Sequence, residues 1–237
     1  MTEYKKVLTK DGSLTLKSPE FNECYHSSEG AVAESLYKHV YPAFETVKKD
    51  EVNILDICFG LGYNSFLSVL KNPYKKINIF SPEMDEGLVR SLKDFEYPEE
   101  FEGIRDIIEK VSSEYFYEDE RVRIEVFIGD AREYIKTLKN IDIVYQDAFS
   151  PKVNGALWTY EYFSDIKKLL NEDGIITTYS VATPVRCALY KLGFKLYTHP
   201  YDNIRKGTIA SFKDLPFESA GFEEKLKRIK TCEPLRD

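Results

Sequence analysis

Val52-Asn53-Ile54-Leu55-Asp56-Ile57-Cys58-Phe59-Gly60-Leu61-Gly62-Tyr63-Asn64 is the stretch that decides the fold. A β-prone run leads straight into two glycines one residue apart, and a helix-length segment, Asn64 to Leu70, follows. Gly60 and Gly62 permit a tight turn and let the backbone approach a ligand closely. The helix after them offers its N-terminal amides at the same place. A strand, a glycine turn and a helix in that order form the opening unit of a parallel α/β sheet.

Outward from this unit the pattern repeats. Lys76 to Phe80, Val122 to Ile128, Ile141 to Tyr145 and Ile175 to Tyr179 are further β-prone runs. Helix-length segments lie between them: Asp85 to Phe95, Ala131 to Leu138, Tyr160 to Leu170 and Pro184 to Leu192. Right-handed crossovers and a mainly parallel sheet covered on both faces follow. Phe194 to His199 and Thr208 to Phe212 read as a closing hairpin joined by the loop Tyr201 to Gly207, which brings the sheet to seven strands. On the N-terminal side, Leu8-Thr9-Lys10-Asp11-Gly12-Ser13-Leu14 predicts a small hairpin around its Asp-Gly turn. Ala31, Leu36, Val40 and Phe44 then recur at helical spacing, with Pro42 expected to end or bend that helix.

In a doubly wound sheet the ligand lies beyond the carboxyl ends of the strands, near the point where strand order reverses. The loop Phe59 to Asn64 lacks the third glycine of a dinucleotide-binding GxGxxG. S-adenosylmethionine has no pyrophosphate to cradle, and the shorter turn suits it; a tight turn with no ligand is the alternative. Glu83 stands 21 residues beyond Gly62, where an acid accepts from both ribose hydroxyls. Asp130, followed by Ala131, ends the third run and either accepts from the adenine amine or caps the next helix. Asp147, in Gln146-Asp147-Ala148-Phe149-Ser150-Pro151, faces the sulfonium end of such a cofactor, and Phe149 and Trp158 are candidates to wall an acceptor pocket. For Trp158 alone, core packing is the stronger reading.

With 237 residues, 43% of them hydrophobic, the chain supports one large domain or a domain with an appendage, and disorder is excluded. Cys24, Cys58, Cys187 and Cys232 are far apart with no CxxC pair, so neither zinc nor a disulfide framework is indicated. No stretch approaches the ~18 apolar residues of a membrane span and the N-terminus carries no apolar leader run, which predicts a cytoplasmic protein. The formal net charge of -7 argues at first sight against a nucleic-acid partner. Its distribution changes that: residues 81–120 hold 14 acidic and 4 basic side chains, whereas 183–237 hold 11 basic and 7 acidic.

Four ordered motifs resemble a known family: the N-terminal Asp11-Gly12-Ser13-Leu14-Thr15-Leu16 to Ser35 segment, the Phe59-to-Asn64 loop, Ile141 to Trp158, and Val185 to Phe194. Together they are similar to the methyltransferase half of the bifunctional tRNA enzyme that makes 5-methylaminomethyl-2-thiouridine at the wobble position. The resemblance implies a class I S-adenosylmethionine-dependent methyltransferase fold, Rossmann-like, over residues 46–237, with residues 1–45 as a hairpin-and-helix extension packed on it. It implies S-adenosylmethionine as donor, tRNA at its anticodon loop as partner, no metal and, in a stand-alone methyltransferase, no FAD. By the same resemblance Asp147 lies at the reaction centre, while Asp56, Phe59, Gly60, Gly62, Asn64 and Tyr25 surround the cofactor. Cys58 stands where the family has glycine, and Leu61 where it has threonine.

The chemistry fits these residues. An amine must be neutral to attack a methyl carbon, and a carboxylate at Asp147 can attract the ammonium form, orient it, and take its proton directly or through water. Phe149 and Trp158 are expected at the uracil base, and Lys152, Arg186, Arg205 and Lys206 at phosphates. Two other readings stand beside this one: an amine transferase of the spermidine synthase type, and a non-catalytic cofactor-binding scaffold.

Overall fold

The computed structural model describes residues 4–199, 201, 204–229 and 231–237. The chain opens with an antiparallel hairpin, β1 (Lys5–Leu8) and β2 (Leu14–Lys17), in which Leu8 pairs with Leu14. Gly12 occupies the left-handed region at φ +85° in its loop. Asp11 ties the hairpin tip to the next element, its Oδ1 accepting from the Ser13 amide at 3.0 Å and its Oδ2 from the Ala33 amide at 2.9 Å. Three helical pieces follow without a break: α1 (Ala31–Glu34), a π-type stretch Ser35–Val40, and α2 (Tyr41–Thr46). The helix therefore does not end at Pro42. Its ladder widens just before the proline, which lacks an amide to donate, and resumes after it.

The alternation then runs β3 (Glu51–Ile57), α3 (Tyr63–Leu70), β4 (Lys76–Glu83), α4 (Glu86–Ser91), α5 (Arg105–Glu114), β5 (Phe116–Glu118), β6 (Val122–Ile128), α6 (Ala131–Ile135), β7 (Ile141–Gln146), α7 (Tyr160–Leu169), β8 (Leu170–Thr178), α8 (Thr183–Lys191), β9 (Lys195–Tyr197), β10 (Thr208–Ser211) and α9 (Phe222–Leu226). The sheet order is β5-β6-β4-β3-β7-β8-β10-β9. β6, β4, β3, β7 and β8 are mutually parallel, whereas β10 opposes both β8 and β9, and β5 opposes β6. The sheet thus has eight strands where the sequence predicts seven; the extra one, β5, is a three-residue edge strand. The closing hairpin appears as β9 and β10, and the loop expected over residues 201–207 lies partly outside the described residues.

Two buried layers cover the sheet. On one face the N-terminal helices, α3, α4 and α5 bury Leu36, Val40, Phe66, Leu67, Leu88 and Ile108. On the other, α6, α7 and α8 bury Ile135, Phe163, Ile166, Val185 and Leu189. Leu16 and Ala31 of the N-terminal segment belong to the first layer, so that segment shares its core.

One expectation about cysteine is corrected. Cys187 on α8 and Cys232 form a disulfide, with Cα atoms 5.7 Å apart and 45 residues between them in sequence. No spacing motif announces this pair, because only the return of the C-terminal segment across α8 brings the two together. Cys24 and Cys58 are free thiols. No helix among the described residues is long and apolar enough to cross a membrane.

Candidate active site

The chain leaves β3 toward β4 and β6 on one side, then returns to β7 and β8 on the other, so strand order reverses between β3 and β7. A cavity of about 1200 Å³ lies beyond the carboxyl ends there. Small-molecule pockets usually measure ~300–1,000 Å³. This one has room for a cofactor and part of a second molecule.

Its floor is the turn after β3. Cys58, Gly60 and Gly62 have φ of +66°, +54° and +72°, three left-handed residues within five positions. Gly62 caps α3. A Cβ at Gly60 would come within 3.1 Å of the Tyr25 ring, so the missing side chain lets Tyr25 close over the loop. Asp56 is fully buried beneath, its Oδ2 accepting from the Ser65 hydroxyl at 2.7 Å and its Oδ1 from the Asn64 amide at 3.3 Å. Burial pushes the Asp56 carboxyl up to about 7, against the ionised form favoured by Ser65. Asp56 and Gly62 shape the floor without lining the cavity, whereas Phe59, Gly60 and Asn64 line it.

Glu83 at the end of β4 lines one end of the cavity. Its Oε2 accepts from the Gly60 amide at 2.9 Å, and its Oε1 from the amides of Met84 and Asp85 at 2.8 and 2.9 Å. Burial raises its pKa despite these donors. Asp130 lines the same cavity and also caps α6, accepting from the Arg132 amide at 2.7 Å. Ala131 lies beside it in the lining.

Asp147 follows β7 at the other end. Its Oδ2 accepts from the Asn64 amide at 2.9 Å, and its Oδ1 lies 3.5 Å from His39 Nε2. Burial alone would raise its pKa, but His39, His26 and Asn64 outweigh it and hold the carboxyl below its usual range. Asp147 is therefore an anion at neutral pH. The Asn64 amide oxygen is buried with no partner among the described residues, an acceptor left over for a ligand's donor.

The N-terminal segment forms the roof. Ser150 donates to Glu23, Oγ to Oε1 at 2.7 Å and backbone amide to Oε2 at 3.2 Å. Phe149 lies between Phe21 and Tyr25, with ring centroids 4.7 and 4.9 Å away. His26 and His39, two of the chain's three histidines, line the cavity together with Glu34 and Lys38, which form a buried ion pair. Burial lowers the His26 pKa, so this imidazole is neutral at neutral pH. None of these four is among the site residues expected from the sequence. Glu34, Lys38 and His39 gave only a weak signal, polar side chains interleaved with the apolar residues Leu36 and Val40, and His26 stands next to Tyr25 in the segment matched to the family.

Two expectations are corrected. Trp158 is completely buried, and its Nε1 donates to the Phe149 carbonyl at 2.8 Å; it braces the loop from beneath and presents no face to a base. Arg186 is buried on α8, with Nε donating to Thr208 Oγ1 at 2.9 Å and Nη2 to the Gly207 carbonyl at 3.2 Å, so it cannot reach a phosphate. Its arginine type had suggested a surface; the packing of α8 against β10 put it inside. Arg205 and Lys206 are exposed residues of the cavity lining, and Lys152 is exposed on the loop after β7, outside that lining.

This donor set fits S-adenosylmethionine: a carboxylate at the end of β4, a glycine floor under a closing tyrosine, and an unpartnered amide acceptor near the second carboxylate. Among the described residues no group of three or more His, Cys, Asp or Glu side chains is placed to hold a metal ion. Fold and site together define an S-adenosylmethionine-dependent methyltransferase, and the family described by those words matches residues 102–213. A crystal structure of MnmC2 from Aquifex aeolicus is 35% identical, with a TM-score of 0.86, over 100% of this chain and 80% of that one. The chain belongs to the MnmC2 family.

An uncharacterised protein of Methanocaldococcus jannaschii is 30% identical over 96% of this chain and 64% of its own length. The tRNA 5-methylaminomethyl-2-thiouridine biosynthesis bifunctional protein MnmC of Ralstonia nicotianae is 25% identical over 82% of this chain, which spans 32% of that protein. A spermidine synthase from Thermotoga maritima shares the fold at 16% identity and a TM-score of 0.57.

Proposed function

We propose that this chain methylates the exocyclic amine of 5-aminomethyl(-2-thio)uridine at the tRNA wobble position, giving 5-methylaminomethyl(-2-thio)uridine. The observation that carries the reading is the anionic Asp147 in a cavity larger than a cofactor needs, in a chain alike over its full length to MnmC2. Bound S-adenosylmethionine supplies a methyl group on a sulfonium, a strong leaving group. In net terms an alkylammonium and the cofactor give the methylated ammonium, S-adenosylhomocysteine and one released proton.

The residues divide this work. Asp147 draws the ammonium into the cavity and turns its N–H bonds toward its own oxygens, which aims the lone pair once a proton has left. Asn64 and Asp56 hold Asp147 and the glycine floor in register. Glu83 would hold the ribose hydroxyls and Asp130 the adenine amine, with Tyr25 over the methionine portion. Phe149, wedged between Phe21 and Tyr25, edges the acceptor site. Arg205 and Lys206 meet phosphates at the mouth, and Lys152 does so from the neighbouring loop.

The test is incubation with labelled S-adenosylmethionine and tRNA, with nucleoside analysis of the product. Methyl incorporation into aminomethyl-bearing tRNA and none into unmodified tRNA is expected. Aminopropyl transfer from decarboxylated S-adenosylmethionine to a free amine, with no methyl transfer to tRNA, would favour the spermidine synthase type, and cofactor binding without any transfer would favour the scaffold.

A further inference from the structure

We propose that His39 is a positioning residue that fixes Asp147 for the acceptor amine. The inference deepens the methyl-transfer reading and rests on it. His39 lies in the π-type stretch Ser35–Val40, in which Lys38, His39 and Val40 are all buried. A π-turn inside a helix rotates side chains away from their α-helical directions, and such turns concentrate at functional sites. Here the turn carries an imidazole into the cavity from an extension outside the alternating β/α core. The ring is 1% exposed and has neighbours on three sides. Nδ1 is 2.9 Å from Thr177 Oγ1 on β8, Nε2 is 3.5 Å from Asp147 Oδ1, and the Tyr145 ring of β7 packs edge-on at 5.5 Å.

One tautomer of the neutral ring joins all three groups. When Thr177 donates its hydroxyl proton to Nδ1, the ring proton sits on Nε2 and points at Asp147. Asn64 donates to Oδ2 at 2.9 Å and His39 stands against Oδ1 at 3.5 Å, so rotation about the Cβ–Cγ bond would disturb both contacts. The remaining lone pairs face the cavity. A carboxylate held in this way presents one orientation to an ammonium, which is what alignment of the amine requires. Thr177 meets only one of the two ring nitrogens, and Asp147 is the group placed at the other.

Two substitutions at His39 and one at Thr177 separate these roles in the full chain. His39→Leu removes the Nε2 donor, His39→Gln keeps an amide donor at about the same reach, and Thr177→Val keeps the packing while freeing the tautomer. Measured with aminomethyl-bearing tRNA, kcat should fall roughly tenfold or more in His39→Leu, recover most of the way in His39→Gln, and fall to an intermediate value in Thr177→Val. The Kd for S-adenosylmethionine should stay within about threefold of the parent in all three. Equal loss in the Leu and Gln variants, or a loss that tracks the thermal midpoint with kcat unchanged in the folded fraction, would overturn the proposal. If the parent chain itself transfers no methyl to this tRNA while binding the cofactor, the functional reading fails, and the His39 geometry is then tested on whatever amine the parent accepts.

Discussion

Asp56 lies under the glycine floor with its carboxyl pushed up to about 7 by burial. In the unfolded chain the same group titrates near 4. Between those values the folded chain keeps a proton that the unfolded chain has released, so this residue's contribution falls as pH rises from about 4 to about 7. Asp56→Asn removes that term. The variant should be less stable than the parent at pH 4–5 and its deficit should shrink as pH approaches 8. A deficit independent of pH in denaturant titrations would contradict the account. Asp56, Glu83, Asp130 and Asp147 were legible in the sequence because each lies within two residues of the carboxyl end of a parallel strand, and such a sheet brings those ends together. His39, Glu34 and Lys38 were not, since their approach depends on how a π-widened helix packs across the sheet. Arg186 shows the same limit from the other side, since its residue type gave no clue that packing would bury it, whereas for Trp158 burial in the core was already the stronger reading.

The element that most constrains the site is the turn into α3. Gly62 has φ +72°, and a Cβ there would lie 2.5 Å from the Phe66 ring and 3.1 Å from Phe59. Both the backbone region and the space exclude a side chain. Gly62→Ala should cost about 1–3 kcal/mol of stability and weaken cofactor binding, because the floor and the first amides of α3 move together. A variant as stable as the parent would contradict this. Most elements could be read from the alternation of β-prone and helix-length segments. α5 could not be read as readily: Ile104, Ile107, Ile108 and Val111 have helical spacing, but the surrounding acids mask it. β5 has no local signal, since three residues become a strand only by pairing with β6.

At the scale of the molecule, charge is sorted across the sheet. The acidic residues 81–120 run from the end of β4 through α4 and α5 to β5, on the β6 and β5 side. Among the described residues of 183–237, Lys191, Lys195 and Lys213 lie around β9 and β10, and Arg205 and Lys206 line the cavity. A polyanion approaching the cavity is steered to the β9 and β10 side. Raising salt from 50 to 200 mM should weaken tRNA binding by about tenfold or more, and cross-links should map to residues 183–237. Flat affinity, or cross-links concentrated in 81–120, would contradict that orientation. Net charge concealed this arrangement, because a sum carries no position.

Asp147 is expected to act on the acceptor amine in a cofactor site that does not depend on it. This expectation is tested by measuring two constants on Asp147→Asn: the Kd for S-adenosylmethionine by calorimetry, and the single-turnover rate of methyl transfer to aminomethyl-bearing tRNA. The account predicts a Kd within about threefold of the parent and a rate lower by about 10²-fold or more. A rate near that of the parent would contradict it.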